Sequence, residues 1–213
     1  MLIRPTSHKL DSDFSIKRAS SKGFTLIEVL VTIVVVSIGL LGLAGLQISG
    51  LRANVSSEAR SKATLLASDI IERMRANPLG VQNTNPAADN QYANIDTSTL
   101  NCGTNPDPFC SNYSGGGTAQ NCTAAQMAAF DAWVWGCGLP VAAGVQRGGV
   151  TNLLPNGSAS VTCNDNGTVP GDPCSPGSTH TVTISWDENS PNATTGTTAG
   201  TNTTQSISLV VVP

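Results

Sequence analysis

Residues 23–50 read GFTLIEVLVTIVVVSIGLLGLAGLQISG and hold one ionisable residue, Glu28. A helix needs about 20 predominantly apolar residues to cross a hydrocarbon core about 30 Å thick, so this run is long enough to span a membrane. The glutamate is unexpected, because a carboxylate in a membrane helix is costly and a plain anchor has no use for one. The run therefore predicts a membrane helix in which Glu28 has a specific role.

The charges on either side of the run predict its orientation. Lys17, Arg18 and Lys22 precede it, and the first charge beyond it is Arg52. By the positive-inside rule, residues 1–22 stay in the cytoplasm and the C-terminus lies on the far side. A secretory signal peptide fits less well, because its apolar region spans only about 7–15 residues and Glu28 would lie inside it. A plain signal anchor explains the length of the run but leaves the glutamate without a reason.

Glu28 lies one helical turn beyond Phe24 and on the same face. If the chain is cut after Gly23, Phe24 gains a positively charged amino group. Glu28 can then pair with that group or with the same group of a neighbouring subunit. Removing an unpaired carboxylate from water costs several kcal/mol, so such a partner is expected.

The N-terminal pattern resembles that of type IV pilins and their pseudopilin relatives. It consists of basic residues, then Gly23-Phe24-Thr25-Leu26-Ile27-Glu28, then an apolar helix. Two further stretches, residues 37–47 (SIGLLGLAGLQ) and 69–77 (DIIERMRAN), resemble PilV-like minor pilins, which are type IV pilus modification proteins. The resemblance covers residues 17–77 closely and the C-terminal half only in outline.

The resemblance implies a function and a set of partners. A prepilin peptidase would cut between Gly23 and Phe24, Phe24 would be N-methylated, and Glu28 would guide assembly with other minor and major pilins on an inner-membrane platform. The chain would be a single-pass inner-membrane protein with a periplasmic C-terminus, and later part of a pilus at the cell surface. A minor pilin would prime or tip the pilus. The alternatives are a type II secretion pseudopilin and an adhesive module that presents the loop of residues 77–121.

The chain is expected to divide into a leader (1–23), a transmembrane half-helix (24–50), an amphipathic periplasmic half-helix (51–77) and a globular periplasmic domain (78–213). An apolar stripe follows helical spacing along the second half-helix: Leu51, Val55, Ala59, Ala63, Leu66, Ile70 and Met74. Glu58–Lys62 and Asp69–Arg73 are favourable i,i+4 pairs. Asn77-Pro78 ends the helix.

Three glycines, Gly39, Gly42 and Gly45, interrupt the apolar helix. They permit either close helix–helix approach in the membrane or local loosening when the helix leaves lipid.

Six cysteines, all beyond the apolar run, predict disulfides in an oxidising compartment: Cys102, Cys110, Cys122, Cys137, Cys163 and Cys174. Cys163–Cys174 is the preferred pair, because Cys163 ends a predicted strand and Cys174 closes the loop before the next. A straight helix over 123–135 would hold Cys122 and Cys137 about 22 Å apart, too far for a disulfide. Cys102 and Cys110 would therefore divide Cys122 and Cys137 between them.

The globular part predicts an α+β fold of the type IV pilin kind, in which the long N-terminal helix packs on a small antiparallel β-sheet and disulfides staple the loops. Thr123 and Gln126 form a capping-box pattern at the start of a short helix that reaches about Trp135. Strands are expected at 158–163, 179–186 and 205–212. The aromatic residues Phe130, Trp133 and Trp135 are interpreted as core rather than as a ligand platform.

No catalytic motif or paired catalytic carboxylate is present, so neither an enzyme nor a cofactor is expected. Zinc is disfavoured, because C-x-x-C is absent and His180, predicted to face solvent on its strand, is the one histidine past the leader. The segment 164–167 (NDNG) with Asp172 is interpreted as a turn rather than a calcium loop. The chain past the leader holds six Lys/Arg against twelve Asp/Glu and only Arg147 as a cation beyond Arg75, which excludes a nucleic-acid footprint.

Overall fold

The computed structural model describes residues 23–81, 91–112, 118–142, 145–168, 170, 174–190 and 201–213. The chain divides into two compact units, residues 1–49 and 50–213. Helix α1 (Leu26–Ala76) runs through 51 residues and contributes to both units. It ends just before Asn77-Pro78, as the sequence predicts, and the short helix α2 (Pro78–Val81) follows.

The second unit continues with a mixture of short helices and strands. In chain order these are β1 (Asn94–Asp96), a 3-10 turn (Thr97–Thr99), α3 (Ala124–Cys137), β2 (Leu139–Ala142), β3 (Val145–Arg147), α4 (Val150–Leu153), β4 (Ser158–Asn164), β5 (Thr179–Ser190) and β6 (Thr201–Val211). Helix α3 begins with the predicted capping box, in which Thr123 accepts from the Gln126 main chain and Gln126 from the Thr123 main chain.

Four strands form one antiparallel sheet in the order β1-β4-β5-β6, and β2 pairs with β3 in a separate hairpin. Every second residue of the sheet faces the core. Val161 on β4 lies opposite Val182 on β5, and Val182 lies opposite Leu209 on β6. This period-2 burial is the signature of a sheet with one covered face, so the predicted α+β fold is confirmed.

The core forms between this sheet face and the second half of α1. Its members come mostly from α1, α3 and the sheet, with further residues from α2, α4 and the segment before β1, and the largest fully buried side chains include Trp135, Trp186, Tyr92, Ile70 and Met74. A smaller apolar cluster joins Phe109 to Phe130 and Trp133, with ring centroids 4.9 and 6.4 Å apart. The aromatic residues of α3 are therefore core residues, as expected.

Three disulfides staple the second unit: Cys102–Cys137, Cys110–Cys122 and Cys163–Cys174. The Cα–Cα distances are 5.3, 5.8 and 5.9 Å. Cys163–Cys174 is the preferred pair from the sequence, and the other two divide Cys122 and Cys137 as predicted. Because α3 keeps Cys122 and Cys137 at opposite ends, each of them bonds to a cysteine in the preceding loop.

Three expectations are corrected by the structure. His180 is only 1% exposed, so the prediction that it faces solvent is wrong; it shares the inward parity of Val182 and Ile184 on β5. The segment 77–121 is more than a loop, since it contains α2, β1 and the 3-10 turn. The predicted stripe is covered only from Ala59 onward, because Leu51 and Val55 are 65% and 64% exposed.

Candidate functional site: the N-terminal junction and the apolar helix

The predicted cleavage junction, Gly23–Phe24, lies directly ahead of the start of α1. Thr25 precedes the helix, and its carbonyl oxygen accepts hydrogen bonds from the main-chain N–H groups of Glu28 (3.1 Å) and Val29 (3.3 Å). The Thr25 hydroxyl also lies 3.4 Å from the Glu28 nitrogen. Glu28 is thus in the first turn, where a carboxylate interacts favourably with the positive end of the helix dipole.

The side chains around the Gly23–Phe24 junction are exposed. Phe24 is 83% exposed, Leu26 is 92% exposed, and Glu28 is exposed as well. Gly23 has nothing within 4 Å of the position that a Cβ would take. The Gly23–Phe24 bond therefore lies in a segment that other residues of the described chain do not cover.

Every residue in the first half of α1 is exposed in the part of the chain that the structure describes. No residue in its most apolar stretch of 18 residues is buried among the described residues. Two of its hydroxyl groups are paired inside the helix: Thr32 donates to the Val29 carbonyl (2.8 Å) and Ser37 to the Ile33 carbonyl (2.7 Å). By length and composition this helix can cross a membrane, where backbone and hydroxyl groups must be paired internally.

No close contact within the described chain requires a glycine at positions 39, 42 and 45 of the apolar helix. A Cβ added at Gly39, Gly42 or Gly45 would meet nothing within 4 Å. Close helix–helix approach in the membrane and local loosening of the helix are both compatible with this geometry. Both attribute the glycines to the surroundings of the helix and not to contacts within the chain.

A buried ionic network joins α1 to α3 in the second unit. Arg73 donates to Asp131 (3.0 Å) and to Asp69 (3.0 Å), and the Tyr92 hydroxyl donates to the other Asp131 oxygen (2.6 Å). Asp131 is 6% exposed. Burial, together with the hydrogen bond to Asp131, raises the pKa of Tyr92. Burial opposes the charged form of Arg73, but the pairs with Asp69 and Asp131 outweigh it and raise the pKa of Arg73.

The sequence analysis missed this network, although one signal was available. Asp131 is the one charged residue in α3, whose sequence is AAQMAAFDAWVWGC. A single carboxylate on a helix that is buried on most sides requires a partner, because an unpaired buried charge is very costly. The predicted pairs Glu58–Lys62 and Asp69–Arg73 are present at 2.7 and 3.0 Å.

One group of side chains in the described residues has the composition of a metal site. The ligand atoms of Cys163, Cys174 and His180 lie within 4.8 Å of one another. The two sulfur atoms are bonded to each other, however, so neither is a thiolate that a metal requires. Burial lowers the pKa of His180, and its Nε2 lies 3.6 Å from the Cys174 sulfur. The cluster fits a buried disulfide contact and not a metal centre.

The segment after β4 forms a turn. Gly167 has a φ of 71°, and the Asn166 side chain accepts from the Thr168 main chain. The main-chain N–H of Ser175 donates to Asp165 (2.8 Å) and lowers the pKa of that carboxyl to about 2. Asp172 lies outside the described residues. Asp165 therefore connects the two ends of the loop that the Cys163–Cys174 disulfide closes. This contact agrees with the interpretation of the segment as a turn.

A surface groove of about 310 Å³ lies between α1, α3 and the β2–β3 hairpin. Its lining is largely apolar, and the one acidic residue in it, Asp69, pairs with Arg73. The described lining contains no histidine, cysteine, serine or threonine.

The apolar helix, the carboxylate in its first turn and the disulfide-stapled α+β unit together fit the class of proteins that an N-terminal helix anchors in a membrane. Family models identify it further. Residues 18–44 match the prokaryotic N-terminal methylation motif, and residues 45–133 match the type IV pilin Tt1218. The two matches adjoin and together span residues 18–133, and both support a type IV pilin. Searches of curated proteins and of solved structures returned no match.

Proposed function

We propose that this chain is the precursor of a minor type IV pilin of the PilV-like kind. A prepilin peptidase removes residues 1–23, Phe24 becomes the methylated N-terminus, and the mature chain assembles with other pilins through α1. The observation that carries the proposal is the bare apolar half of α1 with Glu28 in its first turn. Because the apolar residues of this half are all exposed within the described chain, they are available first to lipid and then to neighbouring helices.

Glu28 is proposed to pair with the amino group of Phe24, in the same subunit or in the next. Its position in the first turn places the carboxylate near the helix start, where the new positive charge would lie. Within the described residues no salt bridge of Glu28 is present, so its charge is available to such a partner. In an apolar fibre core an unpaired carboxylate would cost several kcal/mol, and this cost makes the pairing selective for correct docking.

The proposed location is the inner membrane, with a single pass and the globular unit in the periplasm, followed by the pilus. The cluster Lys17, Arg18 and Lys22 ahead of the apolar run supports this orientation. Three disulfides in the second unit support exposure of that unit to an oxidising compartment. The proposed partners are the other minor and major pilins, the peptidase and the inner-membrane assembly platform.

The substitution Glu28→Ala tests the assembly role. The variant is expected to be cut normally, seen as a size shift on a gel, and to reach the membrane, but to enter sheared pili poorly. The matched control is Glu72→Ala, which removes an exposed glutamate from the aqueous end of the same helix. Wild-type pili with Glu28→Ala would refute the pairing.

A deletion strain tests the minor role. Few surface pili that return when retraction is also disabled would support a priming function. Normal piliation in both backgrounds would instead favour a secretion pseudopilin or an adhesive accessory. Electron microscopy of the two strains distinguishes these outcomes.

A further inference from the structure

The surface groove between α1, α3 and the β2–β3 hairpin concentrates positive charge. Residues 50–213 hold six Lys/Arg and eleven Asp/Glu. Three of the six cations line the groove, Lys62, Arg73 and Arg147, against one of the eleven acids, Asp69. Lys62 and Arg73 are paired with acids, whereas the described residues show no salt bridge of Arg147, which is exposed. An acidic side chain of a partner would therefore meet an opposite charge here.

The rest of the groove is apolar and incompletely covered. Trp135 on α3 is buried, but Leu65 on α1 is 70% exposed, and Leu139 on β2 and Leu153 on α4 are exposed as well. The volume of about 310 Å³ lies at the lower end of the range of ligand pockets, which is enough for a few side chains. The groove thus suits a partner that presents apolar side chains next to a carboxylate.

The chain itself carries a segment of this composition on α1. Leu51, Val55 and Glu58 follow i, i+4, i+7 spacing, and all three are exposed. This is the spacing at which an amphipathic helix presents its anchor residues to a groove. Leu51 and Val55 are also the two members of the apolar stripe that the second unit leaves uncovered. We call these three residues the 51–58 face.

The 51–58 face cannot enter the groove of its own chain. Helix α1 is continuous through both, and at 3.6 residues per turn the 51–58 face lies on the same side of the helix as Lys62 and Arg73. An unbroken helix cannot fold back on itself, so the groove needs this face from another molecule. In a second copy that lies parallel to the first and is shifted by about 20 Å along the helix axis, the 51–58 face lies opposite the groove.

We propose that the groove is a docking site for the 51–58 face of a second copy of this chain, with Glu58 of one copy against Arg147 of the other. One contact then covers Leu51 and Val55 and gives Arg147 a counter-charge. The exposed Glu58–Lys62 pair within each copy is weak and does not prevent this. Each copy contributes a different surface, so further copies can add in the same way and form an open row. The inference rests on the proposed function for the membrane anchoring that keeps the copies parallel.

A benzophenone amino acid at Val55 tests the contact in cells that make two differently tagged copies of the full chain. Val55 is 64% exposed, so the apolar probe replaces an apolar side chain without entering the core. The expected product carries both tags, and mass spectrometry should place the attachment in residues 139–153 of the second copy. This map decides the proposal without any substitution in the groove.

Charge reversal tests the predicted pair. Arg147→Glu should lower the crosslink yield about tenfold, because Glu58 then faces a like charge. The control is Arg60→Glu, which makes the same charge change on the opposite side of α1 and should leave the yield unchanged. Combining Glu58→Arg with Arg147→Glu in every copy restores opposite charges and should return the yield to within about twofold. Unchanged membrane levels and intact disulfides on non-reducing gels confirm that the variants fold.

Several results would overturn the docking site. Crosslinks that join Val55 only to lipid, to a different pilin or to α1 of the second copy reject it, and so does a yield that Arg147→Glu leaves unchanged. If the expected crosslink is absent while the chain is cut after Gly23 and enters sheared pili, the docking site is rejected and the pilin function stands. If the chain is not cut after Gly23, the proposed function is rejected whatever the crosslink shows.

Discussion

The two halves of α1 share one continuous backbone and differ in what covers them. Before Ser49 every described side chain of the helix is exposed, although this is the more apolar half. After Val55 the helix is less apolar, yet Ala63, Ala67, Ile70 and Met74 are completely buried. Hydrophobicity along a helix therefore shows how much surface needs cover. It does not show whether the chain itself or a membrane and neighbouring subunits provide that cover.

The residue types follow this difference. The covered half uses small residues, with Ala59, Ala63 and Ala67 on its packed face, so that bulky side chains of the domain can approach. Trp135 lies close enough for its indole N–H to donate to the Leu66 carbonyl at 2.8 Å. The uncovered half instead carries branched residues such as Val and Ile around its whole circumference. A helix that is hydrophobic on all sides is typical of a membrane span.

The largest expected effect is a difference between the two halves of α1 in how much they contribute to the free energy of unfolding. Ile70→Ala should lower the free energy of unfolding of the domain by about 2–5 kcal/mol, because it removes buried methyl groups and leaves a cavity. Ile38→Ala, the same change at a position 67% exposed, should leave that free energy unchanged. The measurement is guanidinium unfolding of the full chain in detergent, followed by the fluorescence of Trp133, Trp135 and Trp186, all of which lie in the second unit. Equal losses in the two variants would contradict the comparison.

A smaller expected effect tests the contribution to stability of the Arg73–Asp131 ion pair between α1 and α3. Asp131→Asn keeps the shape of the side chain but removes the charge that accepts from Arg73 and Tyr92. Because the group is buried, the expected loss is about 1–3 kcal/mol. Asp69→Asn is the control, since Asp69 pairs with the same Arg73 but is 46% exposed, and an exposed pair contributes about 0–1 kcal/mol. The same unfolding assay should rank Asp131→Asn well below Asp69→Asn in stability; the reverse order would contradict a buried network.

The smallest expected effect is a pH dependence of the stability of the second unit, residues 50–213. Burial lowers the pKa of His180 below its usual value of about 6.5, so the unfolded chain binds the proton first as the pH falls. The stability of the domain is then fully present above about pH 6.5 and declines below it, by at most about 1.4 kcal/mol per pH unit. Thermal unfolding of the full chain at about pH 7.5 and 5.5 measures the change, and His180→Gln should flatten it. An equally steep decline in His180→Gln would assign the effect to other groups.

Sequence reasoning alone predicts the apolar run, the position of Glu28, the end of the helix at Ala76, the capping box of α3 and the three strands that pair most extensively. These features depend on local rules of length, spacing and turn chemistry, which need no knowledge of distant contacts. The Cys163–Cys174 pair was also predicted. Because the ends of a rigid helix cannot meet, so was the division of Cys122 and Cys137 between Cys102 and Cys110, but which bonds to which came from the structure.

Which surfaces meet becomes apparent only in the folded chain. The sequence could not show that the stripe on α1 is covered from Ala59 but open at Leu51 and Val55, or that Arg73 reaches Asp131 from a position 58 residues away. It also left β1 and the exposed edge of β6 unrecognised. His180 lay within reach of sequence reasoning, since it has the parity of Val182 and Ile184. Which side of a strand faces the core, and which part of an apolar helix stays open, is set by packing between distant segments, and local sequence patterns do not encode that packing.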